Sequence, residues 1–332
     1  MIAIALALLA AEPASPARVT VPGVSMPRTV AGELTVRGAA QPNFTASGGH
    51  LSRLVFAVIG DSRPGKLDDV AGYPRQVIGQ IYRDLQERSP RPAFVVATGD
   101  YMNNTPGAGT AAPQVAAYLD AARAFSGPVF PAMGNHECAN AVSSECGPQG
   151  PNGSTENYQA FLGGLLQRGL ALPTATPYYA LRVEGGEGNR RWTAKFLFIA
   201  ANAWDAVQAD WLTRALEAPT TYTFVVRHER TLDDAACPGA AASTAILAKR
   251  PPTLLLVGHF HEFAVHKTSA VGSAELVVGN GGAPLYAQDG FFGYVVCAQG
   301  ADLTLSCQAY DYQSNGPAGS ALVVEPSGRI VE

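Results

Sequence analysis

The chain has 332 residues, a formal net charge of −4 and an isoelectric point near 5.9; 47% of its residues are hydrophobic and 15% are charged. Charged residues are scarcer than the usual quarter or so of a soluble domain, which favours a large buried core and disfavours disorder. The negative charge and the lack of any Lys or Arg run argue against a protein that binds nucleic acid through its backbone. Because no repeat or low-complexity linker divides the sequence, we expect one large α/β domain.

The first 17 residues are predicted to be a signal peptide. Residues 1–11 are uninterrupted apolar, and residues 14–17 are small, with Ser, Pro and Ala. An apolar run of this length is shorter than the roughly 20 residues that a transmembrane helix needs, so no integral membrane segment is expected. A basic region at the start is missing, and the alternative is a plain buried strand. We expect export to the periplasm or the extracellular space, with cleavage after Ala11 or Ala17.

The predicted elements then follow in chain order. Residues 18–50 are predicted to be an extended segment that leads into the domain and carries one edge strand. Strands and helices alternate from there, which favours parallel pairing. The predicted strands are 54–60, 93–98, 128–132, 178–183, 195–200, 222–227 and 253–257, and the predicted helices are about 74–88, 113–125, 204–217 and 240–249.

Two further stretches have a different character. Residues 137–177 are predicted to be a loop-rich insert, because Gly, Pro, Asn and Ser recur throughout. After residue 263 the pattern indicates only strands, at 275–278, 293–298 and 302–310. The domain is expected to span residues 51–312, and residues 313–332 are predicted to be a C-terminal tail.

Short polar clusters stand at the ends of the apolar runs. They are Asp61, Gly99-Asp100, Gly134-Asn135-His136-Glu137, His228, and Gly258-His259-Phe260-His261. The preceding runs lack the polar alternation of half-exposed strands, so we interpret them as buried strands. In open α/β sheets, ligands bind outside the carboxyl ends of the strands, and the clusters are therefore expected to converge. Carboxylate, amide oxygen and imidazole together form a ligand set for divalent metals, and paired ions of this kind suit phosphoryl chemistry.

This series of motifs resembles that of the calcineurin-like metallophosphoesterase superfamily, to which the purple acid phosphatases are related. The family pattern is Asp-x-His, Gly-Asp, Gly-Asn-His-Glu, a lone His after a strand, and Gly-His-x-His, and it matches across residues 52–312. The first motif departs from it, because Arg63 stands where the family has a metal-ligating His. The resemblance implies a four-layer α/β/β/α sandwich of two mixed β-sheets flanked by helices.

The resemblance also implies a metal centre of one or two divalent or trivalent ions, Mn, Fe or Zn. One ion would take Asp100, Asn135, His228 and His259. The other would take Asp61, Asp100 and His261 together with the missing His, so that Asp100 bridges the pair. Arg63 cannot replace that ligand, because a guanidinium carries a positive charge and has only donors.

Purple acid phosphatases also lack the first-motif His and use a Tyr three residues after the Gly-Asp aspartate. That position is Asn103 here, which could offer an amide oxygen, while Tyr101 is shifted by two. A guanidinium is well matched to phosphate, so we expect Arg63 to contact the phosphoryl oxygens and stabilise charge there. The alternative is that Arg63 lies on a surface turn before Pro64.

In the family, the His after the ligand Asn faces the leaving group, so His136 is a candidate general acid or hydrogen-bond donor, oriented by Glu137. The resemblance implies hydrolysis of a phosphate monoester or diester by metal-bound hydroxide. The substrate would be a phosphorylated small molecule or an exposed phosphoester. The alternative is a protein that keeps the fold and binds a metal or phosphorylated ligand without useful turnover. The oligomeric state is not predicted.

The cysteines and two arginines complete the candidate residues. Cys138 and Cys146 flank a short loop that a disulfide could close, which favours an oxidising compartment. Cys297 and Cys307 lie on hairpin strands around Gly300, and this turn position places them out of register, so no bond between them is predicted. Arg227 and Arg230, on either side of His228, either line an anionic pocket or are paired on the surface.

Overall fold

In a computed structural model of the protein, the described residues are 18–21, 24–29, 33–38, 51–138, 146, 155–169, 176–231, 237–267 and 269–331. The predicted signal peptide, residues 1–17, lies outside them. The elements along the chain are β1 (Arg18–Val21), β2 (Val24–Thr29), β3 (Glu33–Gly38), β4 (Val55–Ile59), α1 (Arg75–Glu87), β5 (Phe94–Ala97), α2 (Ala111–Ala122), β6 (Val129–Pro131), α3 (Glu156–Ala160), β7 (Tyr179–Gly185), β8 (Trp192–Phe198), α4 (Ala206–Glu217), β9 (Tyr222–Val226), α5 (Pro238–Leu247), β10 (Leu254–Val257), β11 (Phe263–His266), β12 (Glu275–Val278), β13 (Gly293–Gln299), β14 (Leu305–Asp311) and β15 (Pro317–Val324).

The strands form two mixed sheets. Among the described residues, the larger sheet has nine strands in the order β1-β2-β3-β7-β8-β9-β10-β12-β11, and the smaller has six in the order β15-β14-β13-β4-β5-β6. Strands β8, β9, β10 and β12 pair in parallel, as do β4, β5 and β6. The carboxyl ends of each parallel group therefore lie at one edge of its sheet.

Aromatic side chains join the inner faces of the two sheets. The Phe56 ring of the smaller sheet lies 5.0 Å from that of Phe196 and 5.1 Å from that of Phe224, both on the larger sheet. The Phe94 ring is 5.3 Å from Phe196. All four side chains are fully buried. Burying side chains of this size supplies much of the stabilisation of such a core.

Helices cover both outer faces, which completes the four-layer α/β/β/α sandwich and confirms the predicted fold class. On the larger sheet, Leu212 of α4 and Leu247 of α5 pack in one buried cluster with Leu255 of β10. On the other side, α1 and α2 are joined by a hydrogen bond between the hydroxyls of Tyr82 and Tyr118, at 2.6 Å. Strand β4 is consequently buried along its whole length, which explains its continuous apolar sequence.

Several regions differ from the sequence prediction. Residues 18–38 contribute β1, β2 and β3, where one edge strand was expected. The stretch predicted to be a C-terminal tail contains β15, which pairs with β14. The insert at 137–177 includes α3, which continues into a π-helix at Phe161–Gly169. None of the helices in the described part of the chain has the length and apolar character needed to cross a membrane.

The prediction for Cys297 and Cys307 is wrong. These residues lie directly opposite each other on β13 and β14, and they form a disulfide. The turn is not centred on Gly300, because Gly300 N–H donates to the Thr304 carbonyl and the strands are joined through residues 300–304. A bond between Cys138 and Cys146 is also present, as the loop spacing suggested.

Candidate metal centre

The chain turns sharply where the site side chains begin. Asp61, Asp100 and His259 follow β4, β5 and β10, and their φ angles are 54°, 58° and 70°. Positive φ is uncommon for residues other than glycine, although Asp and His tolerate it better than most. Such backbone strain tends to cluster at functional sites. Here it directs side chains from three strand ends into one space.

Asp100 lies at the centre of this space and is almost fully buried. Its Oδ1 is 3.2 Å from His228 Nε2, and its Oδ2 is 3.7 Å from His136 Nε2 and 3.5 Å from Arg63 Nε. Burial raises the pKa of Asp100, but the neighbouring His136, His228 and Arg63 outweigh it and hold that pKa well below its usual range. The Asp100 carboxylate is therefore ionised and available as a ligand at neutral pH.

Asn135, His228 and His259 surround the Oδ1 side of Asp100. Asn135 Oδ1 is 3.1 Å from His228 Nε2 and 3.1 Å from His259 Nδ1, and these two ring nitrogens are 3.3 Å apart. His228 Nδ1 donates to the Thr98 carbonyl at 3.0 Å, which leaves Nε2 facing the site. Oxygen and nitrogen atoms brought this close need a proton or a metal cation between them. The donor set thus fits a metal ion, and the four predicted ligands of the first ion lie together.

The predicted ligands of the second ion also lie together. One ligand atom each of Asp61, Asp100 and His261 falls within 4.8 Å of the others. Asp61 Oδ1 is 3.6 Å from His261 Nε2, and it is buried without a hydrogen-bond partner. Burial raises the pKa of Asp61 well above its usual value despite the opposing effect of His228. A positive charge here would stabilise the ionised carboxylate.

Arg63 provides such a charge. Its Nη2 lies 3.3 Å from His261 Nε2. Since His261 Nδ1 donates to the Pro284 carbonyl at 2.6 Å, Nε2 accepts from the guanidinium. The Arg63 side chain is 13% exposed, so the predicted alternative of a surface turn is wrong. At an effective dielectric constant of about 20, two unit positive charges 4 Å apart repel by about 4 kcal/mol. A dication beside the Arg63 guanidinium would roughly double this value.

The sequence comparison identifies the family. A model of the calcineurin-like phosphoesterase family matches residues 54–263, which is more than half of the chain. The chain belongs to this family. No curated protein sequence matches the chain significantly.

Solved structures agree on the fold of this calcineurin-like phosphoesterase. GAP50, described as the anchor in the inner membrane complex of Plasmodium, is similar at a TM-score of 0.59 and 15% identity, over 83% of this chain and 89% of GAP50. The purple acid phosphatase PPD1 from yellow lupin (Lupinus luteus) seeds is similar at a TM-score of 0.58 and 16% identity, over 88% of this chain. The match spans 56% of the lupin chain. At sequence identities this low, the structural similarity shows a shared fold alone.

The two residues considered as substitutes for the missing ligand have other contacts. Tyr101 is fully buried, and its ring packs against Tyr118 at 4.8 Å. Its hydroxyl donates to the Ala97 carbonyl at 3.1 Å. Asn103 Nδ2 donates to the Pro64 carbonyl at 3.0 Å, which fixes the loop that carries Arg63. Tyr101 therefore belongs to the core, and Asn103 supports the residue after Arg63.

Glu137 has a different role from the predicted one of orienting the His136 side chain. Its carboxylate accepts the backbone N–H groups of Asp100, Tyr101 and Gly134 at 2.9, 2.8 and 2.7 Å. Burial and the nearby Asp100 raise the pKa of Glu137 to about 7. The side chain ties the Gly-Asp loop to the Gly-Asn-His-Glu loop, two segments that approach so closely that a Cβ on Gly134 would lie 2.2 Å from Asp100 Oδ1.

The backbone of His136 is fixed by Asp100, whose Oδ1 accepts its N–H at 3.2 Å, and by a contact from the insert. Asn157 of α3 donates through Nδ2 to the His136 carbonyl at 2.8 Å, and its Oδ1 accepts from Asn104 at 2.9 Å. Both asparagines are fully buried. Sequence reasoning missed Asn157, because the insert was interpreted as loop and a single Asn carries no local signal of this role.

The arginines beside His228 are structural. Arg227 is fully buried, and its guanidinium donates to the Ala240 carbonyl and the Ser243 hydroxyl of α5, at 2.8 and 2.7 Å. Arg230 is largely buried and forms an ion pair with Glu275 at 3.1 Å. Both predicted alternatives, an anionic pocket and surface pairing, are therefore wrong. These contacts fix the strand ends on either side of His228.

Proposed function

We propose that this protein is an exported, metal-dependent phosphoesterase that hydrolyses a phosphate monoester or diester. The observation that carries the proposal is the convergence of Asn135, His228 and His259 on the Asp100 carboxylate, from separate strand ends. Asp61 and His261 lie on the adjacent side. Family membership supports a phosphoester as the bond that is cleaved. The substrate would be a phosphorylated small molecule or an exposed phosphoester.

The ligands that would hold a metal are Asp100, Asn135, His228 and His259. When bound, a Mn, Fe or Zn ion would polarise a phosphoryl oxygen and lower the pKa of a coordinated water toward neutrality. The protein's part is to keep these side chains in place, as the hydrogen bond from His228 to Thr98 does. No side chain is needed as a covalent nucleophile.

His136 would donate a hydrogen bond to the leaving-group oxygen. Its side chain is 12% exposed, and its Nε2 faces the same space as Asp100 Oδ2. Burial lowers the pKa of His136 to about 4, so its ring is neutral at pH 7. A neutral imidazole still has one N–H to donate. This favours hydrogen bonding to the developing negative charge over proton transfer from an imidazolium.

Arg63 would stabilise charge on the phosphoryl group. One of its nitrogens contacts His261, and the partly exposed guanidinium keeps further N–H groups for a ligand. Guanidinium and phosphate match in geometry as well as in charge. Preorganised donors of this kind act on the transition state and are worth about 100-fold or more in rate when they are removed singly.

A second candidate function is binding without useful turnover. It is favoured by the guanidinium that lies among the ligands of the second ion. The similarity to GAP50, whose description is that of an anchor, points the same way. Under this alternative the protein would hold a metal or a phosphorylated ligand, and His136 would have no role in a reaction.

The two candidates are distinguished by hydrolysis assays. Metal-stripped protein would be assayed with p-nitrophenyl phosphate and bis-p-nitrophenyl phosphate before and after addition of Mn²⁺, Zn²⁺ or Fe²⁺. We expect metal to restore turnover, and Asn135→Ala to lower it by about 100-fold or more, since even outer-shell partners of a metal are worth 10- to 100-fold. An Asp100→Asn variant tests the same site. Its matched control is Asp120→Asn, on the exposed face of α2. Folded protein that binds metal and turns over neither ester would favour the binding function.

Export is proposed on independent grounds. Bonds join Cys138 to Cys146 and Cys297 to Cys307, and disulfides persist mainly in oxidising compartments. Expression of the whole chain with a C-terminal tag in a bacterial host, followed by fractionation, tests the proposal. We expect the tag outside the cytoplasm for the whole chain and inside it for residues 18–332. Equal retention of both chains in the cytoplasm would contradict export.

A further inference from the structure

We infer that the Arg63 guanidinium takes the place of one of the two metal ions, so that this protein holds a single ion beside a built-in organic cation. The inference deepens the proposed function, since the single ion is the one assigned there to Asp100, Asn135, His228 and His259. Of the one or two ions that the motif pattern implied, it assigns one. Its evidence is the set of contacts that Arg63 makes.

Arg63 occupies the ring nitrogen of His261 that a second ion would need. A ligand histidine must present an unprotonated ring nitrogen to the metal. His261 donates through Nδ1 to the Pro284 carbonyl at 2.6 Å, which leaves Nε2 as the only ring nitrogen that could ligate. Arg63 Nη2 lies 3.3 Å from that Nε2 and can only donate to it. The lone pair needed for a second ion is therefore used by the guanidinium.

Asp100, the carboxylate that would bridge two ions, already faces Arg63 with one of its oxygens. Its Oδ2 lies 3.5 Å from Arg63 Nε, and its Oδ1 lies 3.2 Å from His228 Nε2. The two oxygens thus face different groups, with the guanidinium on one side and the His228 imidazole of the first ion's ligand set on the other. A carboxylate that bridges a metal and a guanidinium has its charge balanced without a second metal.

Hydrogen bonds fix the position of Arg63. Its Nη1 donates to the Pro64 carbonyl at 3.3 Å, and Asn103 Nδ2 donates to the same carbonyl at 3.0 Å. Ser62 N–H, one residue earlier, donates to the Asp100 carbonyl at 3.0 Å. The loop that carries Arg63 is therefore attached to the Gly-Asp loop on both sides of the arginine, which keeps the guanidinium between Asp100 and His261.

The test counts ions. Wild type, Arg63→His and Arg123→His would be stripped of metal, reloaded with excess Mn²⁺, freed of unbound ion by gel filtration and analysed for Mn per chain. Arg63→His removes the cation and supplies the imidazole found at this position in the motif pattern, whereas Arg123, with its side chain 80% exposed, is the matched control. If Arg63→His does not fold, as judged by circular dichroism, Arg63→Gln replaces it, because its amide oxygen can also ligate.

We expect one Mn²⁺ per chain in wild type and Arg123→His, and two in Arg63→His. Electron paramagnetic resonance should show an isolated ion in wild type and a spin-coupled pair in Arg63→His. Two ions in wild type, or a single ion in the folded Arg63 variant, would overturn the assignment of Arg63 while leaving the proposed function in place. No bound ion in folded wild type would overturn this inference and the proposed metal dependence together.

Discussion

Asp100 is held from two sides by residues of opposite charge. Arg63 approaches its carboxylate, with 3.5 Å between Nε and Oδ2, whereas Glu137 approaches its backbone and accepts its N–H at 2.9 Å. The guanidinium stabilises the ionised side chain, and the glutamate fixes the left-handed backbone at φ 58° from which that side chain extends. The position and the charge of the central carboxylate are thus controlled by different neighbours.

Replacing Glu137 by Gln should therefore damage the site although the side chain keeps its size. A glutamine has one acceptor oxygen, so its NH₂ group would face at least one of the backbone N–H donors that Glu137 now satisfies. We expect a loss of about 2–4 kcal/mol in the free energy of unfolding, measured with urea. The exposed Glu217→Gln is the control. Equal stability of the two variants would contradict the structural role of Glu137.

Metal uptake should depend on pH through His228 and Asp61. Burial lowers the pKa of His228, but the carboxylates of Asp100 and Asp61 outweigh burial and raise it well above its usual value. The metal-free site therefore carries a proton at neutral pH, and a metal must displace it. Affinity for Mn²⁺ should rise with pH by about tenfold per unit for each proton released.

Isothermal titration in buffers with different ionisation enthalpies measures that proton release. The observed heat should change with the buffer, and the affinity should weaken between pH 8 and pH 6. A buffer-independent heat combined with a pH-independent affinity would mean that His228 and Asp61 are unprotonated before the metal arrives.

At the scale of elements, the Cys138–Cys146 bond links the Gly-Asn-His-Glu loop to the second half of the chain. Cys138 follows Glu137 directly, and Cys146 N–H donates to the Asn202 carbonyl at 2.8 Å. Asn202 in turn donates to Glu229, the residue after His228. One disulfide thus connects the loop of Asn135 and His136 to the strand end of His228.

Removal of this bond should weaken metal binding, whereas removal of the other disulfide should not. We expect Cys138→Ala/Cys146→Ala to lower Mn²⁺ affinity about tenfold, in the range of an outer-shell change. Cys297→Ala/Cys307→Ala, on the β13–β14 hairpin, is the matched control. Each disulfide closes a short loop, and such a cross-link contributes roughly 2–3 kcal/mol to the free energy of unfolding. Both variants should therefore lose stability in urea. Equal Mn²⁺ affinity in both would show that the first bond has no influence on the site.

The strands that carry the site could be predicted because each has a characteristic local sequence pattern. Continuous apolar runs mark strands buried on both faces, and β4, β5, β9 and β10 lie within one residue of the expected bounds. Their polar ends follow from the same pattern. Strands β2, β3 and β15 contain Pro or Gly among polar residues, and β1 has only four residues. Their place in a sheet is set by long-range pairing, which a single sequence does not display.

Long-range contacts also explain what was missed in the site. Arg63 and His261 are 198 positions apart, and nothing near either residue indicates that they touch. Glu137 was assigned to its neighbour His136, although its partners include Asp100 and Tyr101 at the end of another strand. The hairpin register of Cys297 was misjudged because the turn type, rather than the Gly in it, determines the pairing.

Considered as a whole, the molecule is a layered sandwich in which two sheets contribute different parts of one centre. The smaller sheet supplies Asp61 and Asp100 after β4 and β5, and the larger sheet supplies His228 and His259 after β9 and β10. A metal bound between them would join both halves of the core. Metal that binds the native state alone stabilises it by mass action, so loading should raise the melting temperature.

The most direct measurement is anomalous diffraction at the zinc edge from crystals of the Zn²⁺-loaded protein. We predict one zinc peak, with Asp100, Asn135, His228 and His259 at about 2.1 Å from the ion and the Arg63 guanidinium between Asp100 and His261. A crystal without zinc at this position, or with zinc held by other side chains, would contradict the metal centre on which the proposed function depends.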